Sequence, residues 1–322
     1  METLVKEEKE KSKVSLFSKG MKTELFLIIL LVLLAMFFSI TSDVFFTAGN
    51  LKTLTRQASI YGMIAIGMVV VITSAGIDLS VGAVTGLSGI VAALCMVNGI
   101  SIPVSIVISI ISGMLIGLVN GVLVYDGKVP PFIATMGTMT VIRAVIMLLT
   151  NASMISKLPN EFKRIAQIEV LNIPFLFVVW IAMIVLAWFM TNKTVFGRNV
   201  YALGSNREAA RLSGINIRKT TYGVYIFSAL ACSIAGILLT SRLGNGVPTA
   251  GAGYELDAIA AAVVGGASLD GGAGSVIGTV LGSMIMATLR QGGVLLGVNS
   301  FILEIIIGSL IVIAVLLDKL RR

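Results

Sequence analysis

Histidine is absent from the 322 residues, and Asp, Glu, Lys and Arg together make up only 12% of them. A soluble domain of this length carries about 25% charged residues, so this chain has too little polar material to make a water-facing surface. The missing imidazole excludes Ser-His-Asp and Cys-His triads and any His-ligated metal. Cysteine is nearly absent as well. Cys95 and Cys232 both lie inside apolar runs, which argues against a thiolate zinc site or a disulfide framework. No G-x-x-x-x-G-K-[ST] phosphate loop occurs, so the chain does not bind ATP in that manner. No heme, flavin or metal pattern appears, and no clustered nucleophile and base marks an enzyme; no cofactor is expected.

What the chain has is apolar bulk, with hydrophobic residues making up 57% of it. Long uncharged segments run at about 25–42, 58–75, 81–97, 103–124, 131–149, 173–190, 220–240, 256–267, 275–289 and 300–317. A helix needs about 20 residues to cross the hydrocarbon core. Most segments qualify. Segments 256–267 and 275–289 read as short, glycine-interrupted helices that pack on protein or line a cavity. The expected fold is an all-α integral membrane protein with about ten transmembrane helices. Residues 1–23 are expected to form a disordered cytoplasmic tail and 24–320 a single transmembrane domain.

The net charge of +8 is placed beside the apolar runs rather than among aromatics, which fits a lipid bilayer and not nucleic acid. With ten passes and the N-terminus inside, the inner loops and tails hold sixteen Lys and Arg and the outer loops six. That asymmetry places both termini in the cytoplasm.

An internal echo accompanies the charge pattern. GIDLSVGAVTG (76–86) aligns without gaps on SLDGGAGSVIG (268–278), so Asp78 matches Asp270. At the same offset Asp126 falls on Asp318. A shift of six segments preserves orientation and implies a two-fold repeat.

Several residues stand out. The long inner loop 191–221 contains GSNREAARLSGI, in which a turn leads into a helix-compatible stretch of Glu208, Ala209, Ala210, Arg211 and Leu212. Gly214 is a natural stop for that stretch. Asp78 and Asp270 lie at predicted helix starts and are read foremost as helix caps, the alternative being a gate or hinge. Arg143 is a lone charge in segment 131–149 and has to face the bundle, a cavity or a partner. Asn120, Tyr254, Glu255 and Asp257 complete the candidates for a translocation pathway or gate. Arg290 and Glu304 are placed to pair across the last hairpin. Loop 151–174 suits a short interfacial helix, and Phe45 and Phe46 suit interfacial anchors.

Glu208-Ala209-Ala210 followed by Gly214 resembles the EAA loop of permease subunits in ATP-binding-cassette importers. GIDLSVGA at 76–83, PTAGAGYELDAIAAAVVGGASLDGGAGSVIGT at 248–279 and GVNSF at 297–301 resemble the ribose-type branch of the monosaccharide permeases. The resemblance implies a non-catalytic, homodimeric subunit in the bacterial inner membrane. It binds a tandem ATP-binding-cassette ATPase inside and a sugar-binding protein outside. Gly204, Arg207, Glu208, Ala209, Ala210, Arg211 and Gly214 would then form the ATPase-coupling element, with Arg207 and Arg211 facing acidic groups of the ATPase. An autoinducer-2 permease is a close alternative. A passive channel or proton-coupled carrier is a more distant one, since without histidine a proton relay reduces to a few carboxylates.

Overall fold

The computed structural model describes residues 23–320. The tail expected over 1–23 therefore lies outside the described residues except for Thr23. In chain order the helices are α1 (Thr23–Thr41), α2 (Ala48–Thr73), α3 (Val81–Val97), α4 (Ile102–Tyr125), α5 (Pro131–Thr150), α6 (Asn160–Ile165), α7 (Phe175–Lys193), α8 (Val195–Ser205), α9 (Arg207–Leu212), α10 (Ile217–Leu243), α11 (Tyr254–Val264), α12 (Val276–Leu295) and α13 (Ser300–Leu320). A two-residue hairpin of β1 (Glu169–Val170) and β2 (Ile173–Pro174) interrupts the all-α pattern between α6 and α7.

Each of the ten apolar segments becomes a helix. Six of them, α1, α2, α4, α5, α7 and α10, are long and apolar enough to cross a membrane; α3 and the first part of α13 are shorter apolar helices. The ten-pass count is thus not established by length and composition. The short-segment reading is right for α11, whose 11 residues rise only about 16 Å at 1.5 Å each. It fails for α12, which continues to Leu295 and reaches 20 residues. That last third carries Arg290 and Gln291, whose polar groups are held by Asp257 and Asn50. Charge in this stretch hides the helix from a reading based on apolar runs. Similarly, α2 starts ten residues before its apolar segment, because Lys52 and Arg56 on its first turns pair with Glu169 of β1.

Burial separates a core from a jacket. Within their most apolar stretches, α2 and α10 are about four-fifths enclosed, whereas α1, α4, α5 and α7 turn most of their surface outward. In water such exposed Leu, Ile, Val and Phe would drive aggregation; in hydrocarbon they are at no disadvantage. Small residues set the close packing of the core: Gly67 lies against the Ser228 backbone, and Gly113 and Gly117 of α4 lie against Ser233, Tyr225 and Ala229 of α10. Phe45 departs from its expected role as an anchor. It is buried, stacked on Phe38 at 5.6 Å, while Phe46 stays exposed.

The two copies of the echo precede helices in the same order. Shifted by 192 residues, Thr73 at the end of α2 falls on Gly265, the residue following α11. The turn carrying Asp78 leads into α3 and the turn carrying Asp270 leads into α12.

Candidate functional site

Three groups of side chains stand out from the apolar frame, one at each end and one buried between α3, α4 and α10.

At one end α8 and α9 form a bracket on α10. Asn206 caps α9, its Oδ1 accepting from the Ala209 N–H at 2.9 Å. At the other terminus the N–H of Gly214 donates to Arg211 O at 3.0 Å and that of Ile215 to Ala210 O at 3.1 Å. This pair of bonds requires a left-handed residue at the stop, and Gly214 supplies it at φ +79°. A six-residue helix has little intrinsic stability, so the two caps and the Ala210 side chain, packed with Leu203 and Ile217, hold it together. Glu208 and Ala209 are exposed, and Arg211 binds Glu208 across one turn. That ion pair holds the Glu208 carboxyl below the usual carboxylate range. Arg207 lies over the Tyr125 ring at 5.9 Å. Leu212, read as part of the helix-compatible stretch but not among the coupling candidates, is 77% exposed on this helix. An apolar residue two positions before the glycine stop of a short charged helix is the sequence signal that marks it.

Gly204 faces the other way. It is buried, and a side chain there would collide with the Thr73 carbonyl and with the Gly272 backbone nitrogen. The Gly272 N–H donates to that same carbonyl at 2.9 Å, and the Tyr201 hydroxyl of α8 donates to Gly274 O at 2.7 Å. The bracket therefore rests directly on the end of α2 and on the turn that carries the exposed Asp270.

The buried group centres on Asp78, which is 2% exposed. Its Oδ1 accepts from the N–H of Ser80 at 2.9 Å and from its hydroxyl at 2.6 Å, and Oδ2 accepts from Ser228 Oγ on α10 at 3.2 Å. Asn120 of α4 donates through Nδ2 to Ser80 Oγ at 2.8 Å. Asp78 thus closes the turn ahead of α3 and ties three helices. The N-cap positions themselves belong to Ser80 and, before α12, to Ser275, whose Oγ accepts from the Gly278 N–H. In the second turn the roles are reversed: Ser268 Oγ accepts from the Asp270 N–H at 3.3 Å.

The opposite end is organised by the first turn of α11. Tyr254 packs edge-to-face on Tyr61 of α2, ring centroids 4.7 Å apart. Glu255 reaches toward Gly82 of α3, where Arg143 of α5 also points; Arg143 donates through Nη1 to Ala250 O at 2.8 Å. Asp257, 2% exposed, receives Arg290 of α12 through Nη2 at 2.8 and 3.0 Å and through Nε at 3.2 Å. Arg290 is therefore bound to Asp257 and not to Glu304. A hollow of about 240 Å³ opens beside this turn, with Tyr254, Tyr61, Gln57 and Arg242 in its wall. Of these four, only Tyr254 is among the sequence candidates for the pathway. The others are dispersed over 186 positions and come together only in the fold. Loop 151–174 caps the same end: Phe162 of α6 is buried, and Ser241 Oγ donates to its carbonyl at 2.6 Å.

A frame of outward-facing apolar helices, a capped helix projecting at one end and a charge-locked turn at the other define a multi-pass membrane protein. The chain belongs to the family described as branched-chain amino acid transport system / permease component, whose model matches residues 50–315. It is 41% identical over 291 residues to the ribose import permease protein RbsC of Bacillus subtilis, covering 90% of each chain. It is 42% identical over 305 residues to that of Escherichia coli K12, covering 92% of this chain and 93% of the relative. To the xylose transport system permease protein XylH of Escherichia coli K12 it is 37% identical over 369 residues, covering 94% of each. No solved structure matches it.

Proposed function

We propose that this chain is the permease subunit of an ATP-driven importer that passes a monosaccharide, ribose or a similar pentose or hexose, into the cytoplasm by alternating access. The observation that carries the coupling is the bracket. An exposed helix, fixed at both termini, stands on α8, and α8 leans through Gly204 on the end of α2 and on the Asp270 turn. A push on α9 by a closing ATPase therefore reaches two core elements without a flexible link between. The bracket end faces the cytoplasm, as do both termini, and the α11 end faces an extracytoplasmic sugar-binding protein. Two copies of the permease and a tandem ATPase complete the importer.

For the solute, the relatives named for ribose and xylose favour a sugar over the amino acids in the family's description. A neutral sugar needs hydrogen-bonding groups and little net charge along its route. The hollow beside Tyr254, with Gln57, Tyr61 and Arg242, offers these at the outer end. Asp78, Asn120, Arg143, Glu255, Asp257 and Asp270 act as gate and support groups, bonded to the elements that rearrange between outward- and inward-open states.

The test is uptake by vesicles containing permease, ATPase and binding protein, with ribose, xylose, glucose and autoinducer-2 as solutes. ATP-dependent accumulation of a pentose or hexose is expected. Gly214→Val, which cannot adopt the left-handed stop without strain, should reduce it to background while the protein remains in the membrane. Accumulation driven by a proton gradient in the absence of the ATPase would refute the reading, and selective uptake of autoinducer-2 would reassign the solute.

A further inference from the structure

The bracket is flanked by a second element. Between α4 and α5 the chain turns through Asp126, Gly127 and Lys128, and Lys128 is held at φ +51°, a backbone conformation that L-residues seldom adopt. Tyr125, at the end of α4, packs against the small apolar cluster of Leu203, Ala210 and Ile217 that seats α9. The turn and α9 are therefore parts of one surface. Two hollows open on it, of about 580 and 630 Å³, and Tyr125 and Arg207 lie in the walls of both.

Charge on this surface is unevenly satisfied. Arg211 is bound to Glu208 within α9. Asp126 receives Arg218 at 3.1 Å and the Tyr222 hydroxyl, both from α10. Both carboxylates bordering the hollows are thereby occupied. Arg207 and Lys128 have no carboxylate partner among the described residues. The Arg207 guanidinium rests over the Tyr125 ring at 5.9 Å, a contact that orients it toward the hollow without using its N–H groups. A placed, unpaired guanidinium with a lysine in the wall of the same hollow is a receptor for a carboxylate.

We infer that the α4–α5 turn is a second docking element for the ATPase, and that the cleft between this turn and α9 takes an acidic side chain of that subunit through Arg207, with Lys128 as the supporting charge. The inference rests on the proposed coupling role of α9. It also separates the two arginines of that helix: Arg207 recognises the partner, while Arg211 stabilises the helix through Glu208.

The test is the affinity of the transporter's ATPase for the permease in nanodiscs, measured across a series of KCl concentrations. The double variant Arg207→Glu/Lys128→Glu should bind at least about tenfold more weakly, and its affinity should lose most of its salt dependence. Arg207→Lys should retain most of the binding. Arg211→Ala, in contrast, should change the salt dependence little. Lys128→Ala, on an exposed turn, guards against misfolding of the double variant and should weaken binding by about threefold. Binding and salt dependence of the double variant and of Lys128→Ala both within twofold of the unmodified protein would overturn the inference. Gly214→Val in parallel distinguishes the two levels: if it abolishes coupling while the charge variants bind normally, α9 docks the ATPase and the turn does not. If the unmodified permease shows no ATPase binding at all, the coupling reading itself fails.

Discussion

Two short helices, α11 and α9, place charges in their first turns and put them to opposite uses. In α11, Asp257 faces inward and binds Arg290 of the following helix, 33 positions on, while Glu255 turns toward Gly82, where Arg143 of α5 also points. In α9, Glu208 meets Arg211 three residues on, in full solvent. A buried pair between distant elements fixes architecture, because breaking it strands a charge in an apolar interior. An exposed pair within one turn stabilises only its own helix and leaves it free to move as a unit. The difference separates an end that holds the bundle together from an end whose short helix stands apart from it; on the proposed function, that second end takes the push.

The comparison can be broken in order of expected effect on stability. Asp257→Ala leaves the half-buried Arg290 without its carboxylate and is expected to cost about 3 kcal/mol, read as a large drop in thermal stability in detergent. Adding Arg290→Met should recover part of the loss, which a specific role for the aspartate alone would not allow. Gly204→Val forces a side chain into the Thr73 carbonyl and should cost about 1–3 kcal/mol. Its loss of ATP-driven uptake should exceed what its lower abundance in the membrane explains. Asp78→Ala removes the acceptor for three donors and is expected to cost about 1–3 kcal/mol. Asp78→Asn should retain much of the stability, since one amide oxygen still serves Ser80. Leu212→Ala sits at the far end of the series: its stability should change by less than about 0.5 kcal/mol, while ATP hydrolysis coupled to uptake falls several-fold. A destabilised Leu212→Ala protein would show that this residue belongs to the fold and not to the docking surface.

Much of the frame was legible before folding was considered. Ten apolar segments announced ten helices, and α3 begins and ends where its apolar run does. The short helix α9 was legible too, since Glu208, Ala209, Ala210 and Gly214 carry a local pattern of helix and stop. Errors arose where a helix continued through charge. Lys52, Arg56 and Arg290 end an apolar run but not the helix, because Glu169 and Asp257 neutralise them from positions 117, 113 and 33 residues away. Phe45 failed as an anchor for a related reason: Phe38, on the preceding helix, provides a stacking surface. Gly204 read as part of the docking loop, and only packing showed it facing Thr73.

Composition alone determined that this is a membrane protein with no imidazole to use, since hydropathy and the absence of a residue type are independent of conformation. Local spacing determined the α9 helix and its glycine stop, because caps are made by residues three to five apart. Which carboxylate neutralises Arg290, which side of α8 Gly204 occupies, and which of two neighbouring arginines is left unpaired were decided by tertiary structure. Each depends on residues brought together from distant segments, and no one-dimensional pattern records that meeting.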